Sequence, residues 1–358
     1  MPRYKILMNH MTYEKIRSYL RDLKDLSAEK VEPGSYLYRQ LKGMDIAELS
    51  PEEFTETLIR TKRPQIFAES AVSGDGSDWN QTELSILGDI SIAVPVIVYD
   101  NGKHYNPEVH EVPFGATLLY IPGALLINGM AKTPADWEEV TVNDQIGYKK
   151  YYALNARRLL APFIFANNVA ASKNKKAFIT VPGIGCGQFA GNFRGQLGSL
   201  LKEVLIEFLK KHAKRFSNIR AVYYDPYAEC ENERHEIECL SFLVRPLTKG
   251  NENKPQLCHP RIYEEDQDDF KKCELFSFVA WDHVSWPGND FYIGLRATDD
   301  GVKAAATNSM AVVTGIEGYY DVSTNTYKPP KRYDYWNSVV IKNGIQLQVK
   351  DNLVVVSA

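Results

Sequence analysis

At 358 residues the chain is too long for one minimal domain, so it reads as a large α/β unit with additions or as two domains. Its 42 Lys and Arg against 45 Asp and Glu leave a net charge of −3, which excludes the global basic field that attracts nucleic acid without sequence preference. No stretch reaches the ~18 apolar residues that cross a bilayer and the start Met1–Leu7 has no signal-peptide core, so a cytoplasmic protein with neither nucleic-acid nor membrane partners is expected.

Residues 1–65 read as a helical N-terminal extension. Ile16, Tyr19, Leu20, Leu23 and Leu26 recur at three- and four-residue intervals on one helical face. Ser50-Pro51-Glu52-Glu53 combines an N-cap serine, proline at the first helical position and glutamate at the third, so a helix is expected through about Arg60. From Ile66 the texture changes to β-rich runs at Ile90–Tyr99 and Thr117–Ile121, with Asp100-Asn101-Gly102 as a turn. Ala71–Asn80 reads as an exposed connection, and the sequon Asn80-Gln81-Thr82 as an accident in a chain expected to stay inside the cell.

The middle of the chain is the most regular. A helical run over Tyr151–Ala170 precedes an apolar strand, Phe178–Val181, then a glycine-rich turn, a helix with the stripe Leu197, Leu201, Val204, Leu205 and Phe208, and a strand at Ile219–Tyr224. Two parallel strands joined by a crossover helix place their loops at the strands' carboxyl ends, where α/β folds bind ligands. The polar stretch 226–272, with its acidic run Glu264–Asp269, reads as a solvated loop. Leu275–Trp281 is apolar on consecutive positions and is expected to be a buried strand. Asn343-Gly344 lies between two alternating segments and predicts a C-terminal β-hairpin over 337–358. The expected organisation is thus 1–65, a core over 66–336, and that hairpin.

The five cysteines, Cys186, Cys230, Cys239, Cys258 and Cys273, are odd in number and lack a CxxC pair, which suits reduced thiols. Cys230, Cys239, Cys258, His259 and Cys273 share a polar region, but their gaps are unlike zinc ribbons or fingers, so neither metal nor cofactor is expected.

The glycine-rich turn, Gly183-Ile184-Gly185-Cys186-Gly187-Gln188-Phe189, carries the strongest signal. Glycines there let backbone N–H groups approach an anion without Cβ obstruction, so a diphosphate is the natural guest. The turn lacks the Gly-Lys-Ser/Thr of a P-loop. Gly185, Gly187 and Ala190 satisfy G-x-G-x-x-A, which keeps a Rossmann-type NAD-dependent oxidoreductase as an alternative, although Asp225 lies 35 residues beyond Ala190.

Downstream, Asp282, Asp290, Asp299 and Asp300 surround a strand end, a Pro-Gly turn and a helix start. One carboxylate can activate water and another can stabilise the positive charge of an oxocarbenium-like transition state, which is the chemistry of glycosidic bond cleavage. Asp300 and Asp290 are first for catalysis, with Asp282 holding ligand or partner carboxylate. Asp299 serves equally well as a helix cap. His283 is an acid–base candidate or a packing residue, and Trp281, Trp286, Phe189 and Phe291 are candidates for adenine stacking or core.

Val181–Gly191, the following helix and Val222–Asp225 resemble the macrodomain segment whose Pro-x-Ile-Gly-x-Gly-type loop wraps the diphosphate and distal ribose of ADP-ribose. The Trp-Asp, Gly-Asn-Asp and Thr-Asp-Asp-Gly-Val-Lys elements resemble MavL-type bacterial effectors, which are macrodomain-like ADP-ribosylhydrolases. That resemblance implies a three-layer α/β core with a mixed central sheet and inserted loops, ADP-ribose bound by Gly183–Phe189 and Asn289, catalysis by Asp282, Asp290 and Asp300, arginine-linked mono-ADP-ribose on ubiquitin as substrate, and delivery into a host cytoplasm. A catalytically inactive ADP-ribose reader remains an alternative. The Asn289–Ala305 segment follows the diphosphate loop, whereas ordinary macrodomains place their catalytic glycine-rich loop before it. No Gln-Glu-Glu signature of poly(ADP-ribose) glycohydrolases occurs, so removal of a single unit is expected.

Overall fold

The computed structural model describes residues 3–25, 31–72, 77–127 and 133–357. Leu26, Gly74 and Gly76 lie outside the described residues.

Nine strands form one mixed sheet: β1 (Lys5–Asn9), β2 (Ser91–Asp100), β3 (Val109–Pro122), β4 (Lys176–Pro182), β5 (Ile219–Asp225), β6 (Glu233–Ile237), β7 (Leu240–Val244), β8 (Cys273–Trp281) and β9 (Leu353–Val356). Their order is β9-β1-β2-β3-β8-β4-β5-β7-β6. The run β3-β8-β4-β5-β7 is parallel throughout, while β2 is antiparallel to both neighbours and β6 is antiparallel to β7. β8, expected from its sequence to be a buried strand, sits mid-sheet, and successive side chains enter opposite cores. Phe276 and Phe278 face one side; Leu275 and Val279 face the other.

Helices α3 (Tyr148–Ser172) and α4 (Leu197–His212) cover the first face with Leu154, Phe163, Val204 and Phe208. The opposite face is covered by α1 (His10–Lys24), α2 (Pro51–Ile59), the excursion through Leu257, Tyr263 and Phe270, and three late helices: α5 (Asp299–Ala306), α6 (Ser309–Thr314) and α7 (Trp336–Asn343). The result is the expected three-layer arrangement. The Rossmann alternative does not survive it, because the sheet has antiparallel strands toward both edges and Asp225 is engaged: its carboxylate accepts from the N–H groups of Tyr227 and Leu247, both at 2.8 Å, and from the Gln256 amide at 3.3 Å.

Local expectations hold where side-chain chemistry is decisive. Ser50 and Glu53 form the reciprocal capping box of α2. Several others need correction. Lys5–Asn9, inside the segment read as helical, is a strand paired with β2 and β9; five residues are too few for a period to show. The connection 71–80 is not wholly exposed, since Trp79 is buried and donates its indole N–H to Thr61. Asn80, at the head of the sequon, caps a short helix, its Oδ1 accepting from Glu83 N, which leaves the expectation of an accidental sequon as it stood. The stretch 226–272 contains β6 and β7, and its acidic run supplies Glu265 and Asp268 to Arg245 and Arg234. No hairpin forms at Asn343-Gly344. Val339 and Val340 are buried on α7, and Gly344, at φ 58°, ends that helix in the left-handed conformation.

Candidate active site

Parallel register brings four strand ends to one edge of the sheet. Trp281 of β8 stands opposite Pro122 of β3, Ser277 opposite Thr180 of β4, and Pro182 opposite Asp225 of β5. The glycine-rich turn and the aspartate segment both leave from this edge, so the sheet unites residues about 100 positions apart.

Within the turn the glycines divide into two roles. Gly185 adopts φ 74°, and a Cβ there would stand 2.9 Å from the backbone nitrogen of Ala124. Reciprocally, a Cβ on Gly123 would meet Gly185 N at 2.5 Å. The two loops therefore touch backbone to backbone, and Leu126 N donates to Phe189 O at 2.9 Å a few residues on. Ile184 and Cys186 are buried beneath the turn, with burial pushing the Cys186 thiol up and away from nucleophilic character. Gly183 and Phe189 are half-buried. Gly187 and Gln188 are exposed, and a Cβ on Gly187 would meet open space. That outer part of the turn is where a ligand can approach. A short 3-10 turn, Gln188–Phe193, separates it from α4.

Gly123 N also donates to Trp281 O at 3.1 Å, so one step along the edge leads from the glycine-rich turn to the aspartates. Asp282 accepts from Val284 N at 2.7 Å, Ser285 N at 2.6 Å and Ser285 Oγ at 2.5 Å. This closes the loop after β8 in the manner of an Asx turn. Asn289 bridges outward: its amide reaches Asp282 at 3.5 Å and its Oδ1 accepts from Ile66 N at 3.0 Å. Residues 62–66 clamp this loop further, through Arg63 N to Val284 O and Trp286 N to Arg63 O. Lys62 is buried there, 4.1 Å from the Trp281 ring and bonded to His283 O at 2.5 Å. Burial drives its pKa down to about 7, with Asp282 opposing the shift.

The remaining aspartates lie around the start of α5. Asp290 is fully buried and satisfied: Ala297 N and Thr298 N donate to one oxygen and Thr298 Oγ1 to the other. Asp299 accepts from Ala280 N at 2.8 Å and from Lys303 at 3.0 Å, tying the helix to β8. Asp300 differs. Its Oδ1 accepts from Gly288 N at 2.7 Å, but the buried Oδ2 has no partner among the described residues. The hydroxyls of Tyr120 and Tyr292 are likewise buried without partners, and both rings feel its charge. Burial, then the charge of Asp290, hold the Asp300 carboxyl well above the usual range.

His283 is neither at the surface nor simply packed. It is buried with Nε2 3.0 Å from Asp136, inside a network in which Arg158 bridges Asp136 and Asp89. Burial raises the Asp136 carboxyl, but Arg158 and His283 more than offset it and leave it well below the ordinary value. Arg158 also donates to Gly123 O at 2.9 Å, which fixes the strip joining the two loops. This network was missed in the sequence, although a charged residue on the inward stripe of α3, four after Leu154, is a legible sign. Trp281, Trp286 and Phe291 are core; Trp281 meets Tyr120 edge-on. Among the described residues no three His, Cys, Asp or Glu side chains converge as a metal site, and no helix is long and apolar enough to cross a membrane.

Against this geometry, a family model described as macrodomain effector MavL matches residues 4–333. No curated protein matches the chain.

Proposed function

The chain belongs to the MavL family of macrodomain effectors, and on that premise we propose that it is an ADP-ribosylhydrolase that removes mono-ADP-ribose from an arginine side chain, with ubiquitin as the modified protein. The family carries the ADP-ribose ligand and an effector's delivery into a host cell. The observation that supports the chemistry is the contact chain Gly185–Gly123–Trp281, which brings the glycine-rich turn to the strand end that Asp282 follows.

In this reading the outer N–H groups of Gly187 and Gln188 take the diphosphate, and Gly183, Ile184, Gly185, Cys186 and Phe189 shape the turn that presents them. Asp300 is the reacting carboxyl, since it alone of the four keeps an unengaged oxygen. Its carboxyl gives its proton to the guanidine nitrogen, which departs with the bond's electron pair as the water oxygen bonds to the distal-ribose carbon, and the carboxylate so formed takes up the proton that the water loses. Asp290 holds the Ala297–Thr298 turn and raises the proton affinity of Asp300, while Asp282 and Asn289 fix the loop around them. Asp299 anchors the helix.

The test is incubation with arginine-ADP-ribosylated ubiquitin followed by intact mass. Loss of the ADP-ribosyl mass with the native chain, and its retention with Asp300→Ala, is the expected result. Retention with the native chain overturns hydrolysis. The burial of Asp282, Asp290 and Asp300 favours a second reading, an ADP-ribose reader without activity, which that same outcome would support if calorimetry still registered ADP-ribose binding.

A further inference from the structure

A concave feature lies at the opposite edge of the sheet, where the parallel strands begin rather than end. It is an open cleft of about 970 Å³ at the amino ends of β4, β5 and β8, walled on one side by β2 and β3 through Val96, Phe114 and Thr117. Its rim carries Lys173, Lys175, Lys176, Arg220, Lys271 and Lys272. Only two acidic residues line it, Asp269 and Glu274, so six positive charges meet two negative ones on a chain whose net charge is −3.

The charges are not mutually satisfied. Lys173 pairs with Glu274 at 2.5 Å, and the Lys176 ammonium rests on Ser217 O at 2.8 Å. The side chains of Lys175, Lys271 and Lys272 are exposed and have no ion-pair or hydrogen-bond partner among the described residues. Arg220 lies 5.7 Å from the Phe270 ring and makes no ion pair among the described residues, although its charge reaches Asp268. Glu274, which lines the cleft, keeps its second oxygen, Oε2, buried and without a partner among the described residues. A single carboxylate oxygen awaiting a donor amid unpaired cations fits a ligand with several anionic groups and at least one hydroxyl.

We infer that this cleft is a ligand site, separate from the glycine-rich turn and the aspartate loop, for a polyol bearing clustered phosphates. Its lysines and Arg220 take the phosphates, and Glu274 takes a hydroxyl. A free inositol polyphosphate and the headgroup of a phosphoinositide share this chemistry. The mixed floor of Val96, Phe114 and Leu275 accommodates the ring carbons between charged groups.

The probe is an inositol trisphosphate, which keeps ring hydroxyls free, titrated calorimetrically into the full chain at two salt concentrations, with tripolyphosphate as the anion lacking ring hydroxyls. Expected results are saturable binding that weakens with salt, tighter for the inositol compound, and a loss on the order of tenfold per lysine in Lys175→Glu, Lys271→Glu and Lys272→Glu. These residues are exposed, so the variants fold, which thermal melting verifies. Glu274→Gln should narrow the preference over tripolyphosphate. Vesicles containing a bisphosphorylated phosphoinositide separate the two sources, since sedimentation with them that the same reversals abolish assigns the headgroup, and its absence assigns the free polyphosphate. No saturable heat with the inositol trisphosphate, or an affinity that the triple reversal leaves unchanged, overturns the site. ADP-ribose affinity should not change in any of these variants.

Discussion

Asp290 and Asp300 are the same residue type ten positions apart, yet they sit in opposite electrostatic settings. Asp290 has three donors, and removing it orphans the N–H groups of Ala297 and Thr298 together with a threonine hydroxyl. Each orphaned buried donor costs about 1–3 kcal/mol, so Asp290→Ala should lower stability by several kcal/mol and lose activity as a consequence. Chemical denaturation checks this, and a change below about 1 kcal/mol would show that the turn holds itself. Asp300 has one donor and a raised pKa, so between the unfolded carboxyl value and its own it is protonated when folded and ionised when unfolded. Stability then falls as pH rises through that window. Asp300→Asn keeps an acceptor for Gly288 N and removes the buried acid, so it should abolish hydrolysis while raising the melting temperature at pH 8. The gain should shrink toward pH 4. A variant that melts lower than the native chain at pH 8, by the same margin at every pH, would mean that the native carboxyl is ionised.

At the scale of elements, the glycine-rich turn offers a paired test. Gly185→Val pushes a side chain into the Ala124 backbone at positive φ, so it should destabilise the protein and reduce ADP-ribose binding through loss of fold. Gly187→Val meets open space and should weaken binding at least tenfold with little change in melting temperature; unaltered affinity by calorimetry would remove the outer turn from the site. The sequence made this turn legible because glycine chemistry is local, and α3, β4, α4, β5 and β8 were legible because long apolar periods survive any tertiary setting. Strands β1, β6 and β7 were not, since five residues are too short for a period to emerge and polar edge positions in β6 mask the pattern. Asn343-Gly344 failed for a different reason. A left-handed glycine closes a helix as readily as it turns a hairpin, and only the burial of Val339 and Val340 together decides between them. The aspartates were found as a set, but their division into three engaged carboxylates and one with a free oxygen depends on donors from Gly288, Ala297 and Ala280, which no spacing reveals.

For the whole molecule, the decisive relation is between the first 66 residues and the aspartate loop. Although much of this segment is helical and looks additive in sequence, β1 is bonded to β2 on one side and β9 on the other. Ile6 and Met8 enter the core on one face of the sheet and Leu7 on the other. At the far end of the segment, Lys62, Arg63 and Ile66 hold His283, Val284, Trp286 and Asn289. Full burial of one such aliphatic side chain contributes roughly 1.5–3 kcal/mol, so losing β1, α1 and α2 together exceeds the 5–15 kcal/mol that holds an ordinary fold. A chain that starts at residue 67 should therefore fail to give a cooperative melt or bind ADP-ribose. Were it to unfold cooperatively and keep its affinity, residues 1–66 would be an appendage and the aspartate loop self-supporting. A truncation starting at residue 10, which removes β1 but keeps the 62–66 clamp, separates the two contributions: it should destabilise the sheet edge while the Trp281–Asn289 amides remain protected from hydrogen exchange in whatever fraction stays folded.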